Sequence, residues 1–163
     1  MAIKKKFPYK AAYVACNGGC RQSSEGEACS YGCIGCGACV EACRFDAIKL
    51  NEYGVAEVNE EKCIGCGLCA RKCPQNIIHV HETANRIVVK CSNKDKGAVA
   101  RKSCEVSCIG CGLCERNCPA DAIHVEDFCA VINEEECLSC GMCAEKCPRG
   151  AIYDLDGVLT PVR

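Results

Sequence analysis

Four times this chain spells one pattern: a cysteine, two residues, a cysteine, two residues, a cysteine, three residues and a last cysteine. The copies are Cys33, Cys36, Cys39 and Cys43; Cys63, Cys66, Cys69 and Cys73; Cys108, Cys111, Cys114 and Cys118; and Cys137, Cys140, Cys143 and Cys147. Proline follows three of them, as Pro74, Pro119 and Pro148. Sixteen thiols at fixed spacing in 163 residues dominate any fold the chain adopts.

The runs are themselves repeated. Cys16, Cys29, Cys33, Cys36, Cys39 and Cys43 return 75 positions later as Cys91, Cys104, Cys108, Cys111, Cys114 and Cys118. The run from Cys63 to Cys73 returns 74 positions later as Cys137 to Cys147. Of the 22 cysteines only Cys20 and Cys129 have no counterpart, so the chain reads as a tandem duplication with its seam near Asn85.

Three cysteines at this spacing wrap three irons of a [4Fe–4S] cube, and the fourth reaches the cluster of the neighbouring run. That rule predicts four sites. Cys33, Cys36, Cys39 and Cys73 form the first; Cys63, Cys66, Cys69 and Cys43 the second; Cys108, Cys111, Cys114 and Cys147 the third; Cys137, Cys140, Cys143 and Cys118 the fourth. Exchanging the fourth ligand brings the two clusters of a pair close together, as electron transfer requires. Glycines beside the middle cysteine, such as Gly35 and Gly37, permit the backbone to turn its N–H groups toward sulfur, which helps set the potential. The last run has Ser139 at one such place, a difference expected either to alter its potential or to be tolerated. Structural zinc needs separated cysteine pairs, a disulfide framework needs an oxidising compartment, and a metal store would lack the glycines and apolar runs, so these readings fall behind.

The rest of the sequence agrees. Short apolar runs follow the cysteine clusters, at Ala47–Leu50, Ile77–Val80, Ile123–Val125 and Ala151–Tyr153. Further runs at Val55–Val58, Ile87–Val89 and Ala130–Ile132 are expected to complete hairpins with them. The last two cysteines of each run, four apart, suit one helical turn. The expected class is α+β: a tandem pair of bacterial 2[4Fe–4S] ferredoxin-like domains with short helices and small antiparallel hairpins. Residues 1–12 read as an N-terminal tail, 13–85 and 86–153 as the two domains, and 154–163 as a C-terminal tail. Trp is absent and aromatics are 5%, so each half has a thin core and needs its clusters as staples.

Six cysteines remain: Cys16, Cys20, Cys29, Cys91, Cys104 and Cys129. Two expectations stand for them, a fifth cluster drawing on Cys16, Cys29, Cys91 and Cys104, or buried thiols inherited through duplication. His79, His81 and His124 are expected to face solvent from strands, and Asp46 and Asp121 to set turns. Lys4, Lys5 and Lys6 read as a solvated tail rather than a docking patch.

Met1–Lys10 has no apolar stretch of signal-peptide kind, and no run of about 18 apolar residues predicts a membrane span. A reducing cytoplasm, on or off the membrane face, is the expected setting. Oxidised clusters with four thiolates carry about −2 each, taking the formal charge from −1 to about −9 and favouring a basic redox partner over nucleic acid. No nucleophile, general base or phosphate loop is visible, so electron relay without substrate chemistry is the expected role.

Three segments go beyond generic ferredoxin: Ala12–Cys20 with Ala28–Gly35; Cys43–Ile48 with Arg44 in the place of the usual proline; and Cys91–Ala98 running on to Cys104. Together they make residues 12–153 resemble the B subunits of the Rnf complexes. The resemblance implies a ferredoxin-facing relay subunit in a membrane complex that passes electrons to NAD and couples this to ion transport. Its partners would be ferredoxin or another redox protein and the membrane Rnf subunits. The membrane helix and separate cluster segment that usually begin those subunits are not in this chain, and the stretch from Cys20 to Cys29 is short for the family. A free polyferredoxin carrier, or a relay subunit of another anaerobic redox enzyme, is the alternative.

Overall fold

The computed structural model describes residues 9–19 and 29–157. Lys4–Lys6, Cys20 and the end of the C-terminal tail therefore lie outside the described residues. Contacts divide the chain into two compact units. The first holds described residues 9–14 and 33–84; the second holds 15–19, 29–32 and 85–157. The sequence reading makes each half contiguous, whereas 15–19 and 29–32 group with the later half. Local contacts explain this. The Ser92 hydroxyl donates to the Ala15 carbonyl at 2.8 Å, and Gly19 packs on Val106 and Cys104.

The first unit runs β1 (Lys10–Val14), α1 (Ala38–Ala42), β2 (Ile48–Leu50), β3 (Ala56–Val58), α2 (Leu68–Lys72) and β4 (Ile78–Glu82). The second runs β5 (Ile87–Val89), α3 (Gly97–Ser103), α4 (Leu113–Arg116), β6 (Ile123–Glu126), β7 (Cys129–Ile132), α5 (Met142–Lys146) and β8 (Ile152–Asp154). The strands form four antiparallel pairs. This is the α+β arrangement of short helices and small hairpins that the spacing predicts.

Two pairings follow the sequence reading, β2 with β3 and β6 with β7. The expected hairpin between Ile77–Val80 and Ile87–Val89 does not form. β4 pairs instead with β1, Lys10 opposite Glu82 and Val14 opposite Ile78. β5 pairs with β8, Ile87 opposite Asp154. Each unit thus closes its first strand onto its last. The polar turn at Thr83–Arg86 links two units rather than two strands of one hairpin. Lys10–Val14, partly assigned to a tail, is a core strand with Ala11, Ala12 and Val14 buried.

The four helices that carry the cysteine runs are single turns for a local reason. Gly37, Gly67, Gly112 and Gly141 precede α1, α2, α4 and α5 with φ between 68° and 75°, so the chain enters each turn from a left-handed residue. The third cysteine of the run sits inside each turn and is buried: Cys39, Cys69, Cys114 and Cys143. The fourth ends or follows it. Apolar cores are small. In the second unit Ile123, Ile152, Ile87 and Ala151 pack with Cys108, Cys114, Cys129 and Cys143 in one cluster, so thiols occupy much of what would be aliphatic core.

One histidine departs from expectation. His79 is exposed and His124 half-buried, but His81 is only 1% exposed. It lies opposite Ala11 on β1, edge-on to Tyr13 at 5.2 Å, with Nε2 3.8 Å from the Glu60 carboxylate. On β4 it shares a face with exposed His79 and lies opposite that of buried Ile78; Tyr13 and Glu60 cover it there, which alternation along its own strand does not show.

Candidate metal centre

The cysteines ring hollows. One is lined by Cys33, Cys36, Cys39 and Cys73 together with Val14, Ile34, Leu50, Ile77 and Ile78. A second is lined by Cys108, Cys111, Cys114 and Cys147 with Ile109, Leu113, Val125 and Ile152. A third is lined by Cys118, Cys137, Cys140 and Cys143 with Ile87, Ile123, Ile132 and Leu138. Each combines three cysteines of one run with the last of another. For the remaining set, α1 packs on α2, and the Cys69 thiol lies within electrostatic range of Cys63 and Cys66. Cys43 caps the C-terminus of α1. Among the described residues, no three His, Cys, Asp or Glu side chains converge as a site for one metal ion; the thiols stand around spaces instead.

Backbone geometry aims N–H groups at these sulfurs. The residue three positions after each run is Asp46, Asn76, Asp121 or Gly150, with φ of 51°, 54°, 52° and 64°. Asp, Asn and Gly are the residues that accept this left-handed conformation at least cost. The turn directs the next N–H back to the fourth cysteine. Ala47 donates to Cys43 Sγ at 3.4 Å, Ala122 to Cys118 at 3.3 Å and Ala151 to Cys147 at 3.4 Å. The paired aspartates are thus turn-formers, as expected. Other donors come from strands: Ala12 N–H reaches Cys63 Sγ at 3.3 Å and Ala56 N–H reaches Cys33 Sγ at 3.5 Å.

Two positions near the first cysteine of a run show how tightly the loop is drawn. At Gly65, with φ 68°, an added Cβ would stand 2.6 Å from the Lys10 carbonyl oxygen, so no side chain fits. Ser139 takes the matching place in the last run and the same left-handed φ, 51°. Its N–H donates to Cys137 Sγ at 3.4 Å, as Gly65 does to Cys63 at 3.5 Å. The hydroxyl then accepts the Arg86 N–H at 3.2 Å, which offsets part of the backbone strain.

The thiols are poor homes for bare negative charge. Burial, then the proximity of Cys33, pushes the Cys39 thiol up to about 11. Burial, followed by Cys108 and Cys147, pushes Cys114 up to about 11. Burial, then Cys137, pushes Cys143 up to about 12, with Cys114 and Cys118 adding to it. A crowd of buried sulfurs needs positive charge at its centre before all can ionise. An iron–sulfide core supplies that charge. The donor chemistry, the apolar lining and the inward N–H groups therefore fit a [4Fe–4S] group.

Exposure follows position in the run. The third cysteines are buried, whereas Cys36, Cys66, Cys111 and Cys140 are exposed. The residue after the first cysteine lines the hollow in three runs, as Ile34, Ile109 and Leu138; Ile34, Leu138 and the matching Ile64 are exposed, Leu138 at 70%, while Ile109 is half-buried.

The leftover cysteines divide in a way that spacing does not reveal. Cys16 and Cys29 both lie near Gly32, whose added Cβ would be 3.3 Å from Cys16 Sγ and 4.0 Å from Cys29 Cβ. Cys104 Sγ borders Gly19. Its carbonyl accepts from Arg149 Nη2 at 2.8 Å. Cys91 lies beside the start of the third run. Its sulfur accepts N–H groups from Cys108 at 3.2 Å and Asn93 at 3.5 Å, and it meets Cys129. Contact with Cys129 brings the Cys108 thiol down to about 6 and the Cys91 thiol to about 7, and raises Cys129 itself well above its ordinary value. Cys129, which has no repeat partner in the sequence, is therefore tied to a predicted ligand. The signal that could have found it is its place at the start of the hairpin strand that backs Cys108.

Comparison with known proteins agrees with this donor chemistry. Three family models, each described as a 4Fe–4S dicluster domain, match residues 27–80, 62–122 and 107–151. The chain is 42% identical over 114 residues to the B subunit of the Na(+)-translocating ferredoxin:NAD(+) oxidoreductase complex of Acetobacterium woodii, covering 70% of this chain and 34% of that protein. It is 43% identical over 108 residues to the B subunit of the ion-translocating oxidoreductase complex of Methanosarcina acetivorans, covering 66% and 41%. It is 42% identical over 80 residues to the B subunit of the proton-translocating ferredoxin:NAD(+) oxidoreductase complex of Clostridium ljungdahlii, covering 49% and 28%. The chain thus spans well under half the length of these relatives. Among the described residues, no helix is long and apolar enough to cross a membrane.

Proposed function

The chain belongs to the 4Fe–4S dicluster ferredoxins and is related to the B subunits of the ion-translocating ferredoxin:NAD(+) oxidoreductases, and from this premise we propose that it is an electron relay holding four [4Fe–4S] clusters. Its ligand sets are Cys33, Cys36, Cys39 and Cys73; Cys63, Cys66, Cys69 and Cys43; Cys108, Cys111, Cys114 and Cys147; and Cys137, Cys140, Cys143 and Cys118. The observation that carries this reading is the hollow lined by three cysteines of one run and the last of another, seen three times.

Clusters bound there would supply one-electron redox chemistry. The chain's own residues do the rest. Thiolates fix the positions, the N–H groups of Ala47, Ala122 and Ala151 stabilise charge on sulfur, and Ile34, Ile64 and Leu138 keep water off. Exchange of the fourth ligand keeps the two sites of a unit adjacent; in the second unit Cys143 feels both Cys118 of its own set and Cys114 of the neighbouring one. The chain has no substrate chemistry of its own in this reading.

The relatives support a role within a complex of the same kind. The chain accepts electrons from reduced ferredoxin or another redox protein and passes them to membrane subunits of an Rnf-type complex, from a peripheral position on the cytoplasmic face. Anaerobically prepared protein tests both levels. About 16 irons per chain with matching acid-labile sulfide supports four clusters, and about 20 a fifth on the remaining cysteines. Copurification from the native host with membrane-embedded redox subunits supports the complex. Recovery as a free, ferredoxin-reducible protein points to a polyferredoxin carrier, and recovery with a soluble dehydrogenase to a relay in another enzyme.

A further inference from the structure

The two halves repeat their ligands but not the charge beside them. Gln75 and Arg149 hold the same place, two residues past the last cysteine of a run, and each borders a hollow. Cysteines apart, Arg149 is the one ionic side chain among the described residues that line the three hollows. Its guanidinium is held in place. Nη2 donates to the Cys104 carbonyl at 2.8 Å, and the Ser107 hydroxyl donates to the same oxygen at 3.0 Å. Ser107 directly precedes Cys108, and Arg149 follows Cys147 by two residues, so the cation stands near the first and the last ligand of one set. Nε is buried and finds no hydrogen-bond partner among the described residues. Among them, no carboxylate forms an ion pair with the guanidinium either. Arginine side chains stay charged in proteins. A half-buried cation with no anion and a spare N–H is costly unless the space it borders is itself negative.

We propose that Arg149 is the built-in counter-charge of the site on Cys108, Cys111, Cys114 and Cys147, and that its charge raises the potential of a cluster held there. The inference rests on the four-cluster reading. An oxidised cluster with its four thiolates carries about −2, and a reduced one about −3. A fixed cation nearby attracts both, but the more negative state more strongly, so reduction becomes easier. Partial burial keeps water and salt from screening that attraction in full. At the first site Gln75 puts an amide dipole in the matching place and no net charge. Duplicated ligand sets thereby acquire different electron affinities through one substitution beside them.

The test is an anaerobic redox titration with dithionite, followed by EPR on the full chain, with iron counted first. An iron-free wild-type chain overturns the cluster reading and this inference with it. In loaded R149Q, which copies the first unit, one cluster of four is expected to become harder to reduce, its reduced-to-oxidised ratio at fixed potential falling about tenfold, or about 59 mV for a one-electron couple. R149K keeps the charge and is expected to stay close to the wild-type midpoint. A shift in R149K as large as that in R149Q assigns the effect to packing and overturns the inference. Reciprocally, Q75R is expected to raise a different midpoint, that of the cluster on Cys33. If R149Q does not load, the Q75R arm decides. Unchanged midpoints in loaded R149Q, or in loaded Q75R when R149Q fails to load, overturn the inference while leaving the cluster reading intact. Loss of iron from both variants does the same, because it makes the two residues structural.

Discussion

Asp46 and Asp121 occupy the same left-handed turn in the two units, at φ 51° and 52°, each three residues past the last cysteine of its run. In both, the next residue's N–H bonds back to that cysteine's sulfur. The turn, rather than the carboxylate, is the working part.

Substitution at Asp121 should therefore sort by backbone preference. D121G should be tolerated, because glycine adopts this φ freely, as Gly150 does at the equivalent place. D121V should cost about 1–2 kcal/mol from the left-handed penalty and loosen Cys118. The check is the guanidinium midpoint for cluster loss, followed by visible absorbance: lower for D121V, close to wild type for D121G.

Crossed ligation makes a non-additive prediction. Cys39 and Cys73 line one hollow although they belong to different runs. C39A and C73A should each remove about four irons per chain, and the double variant no more than either alone. C69A with C73A should remove about eight, because those residues serve different sites. Equal losses from both doubles would contradict the crossed arrangement.

Removing the metal should cost the fold. Thiols take core positions that aliphatic side chains would otherwise fill, and apo hollows crowd buried sulfurs together. Chelation under reducing conditions should abolish cooperative unfolding and most strand signal in circular dichroism, with recovery on reconstitution. A chelated chain that still melts cooperatively would show that the apolar core suffices alone.

His124 gives a pH signature. Its Nδ1 stands 3.1 Å from Glu115 Oε1, and that hydrogen bond raises the imidazole above its ordinary pKa. With a raised folded pKa, the stabilisation is fully present below the ordinary histidine value and is lost as pH rises through the folded one. The pair is half-exposed and screened by solvent, so the effect on stability is small and weakens in salt. An NMR titration of the oxidised protein should show the His124 pKa falling in E115Q.

The ligand runs, the duplication and the hairpins β2–β3 and β6–β7 were legible in sequence because each is local. Cysteine spacing, turn residues and alternation all act within about a dozen residues. What closed each unit was not legible: β1 with β4 and β5 with β8 join strands roughly 65 residues apart, and nothing local separates that from a neighbouring hairpin. His81 was misplaced for a related reason, since the partner strand that buries it begins at Lys10. The Cys91 sulfur sits with Cys108 and Cys129, surroundings that the repeat spacing alone does not show.

The exposure of the second cysteine in every run means that each site has a window. In the proposed relay a carrier protein would come to that side to shorten the jump, and Cys36, Cys66, Cys111 and Cys140 mark where. Dioxygen and peroxide would use the same opening and oxidise first the sulfur nearest solvent, so fast exchange with a partner and fragility in air would have a single origin.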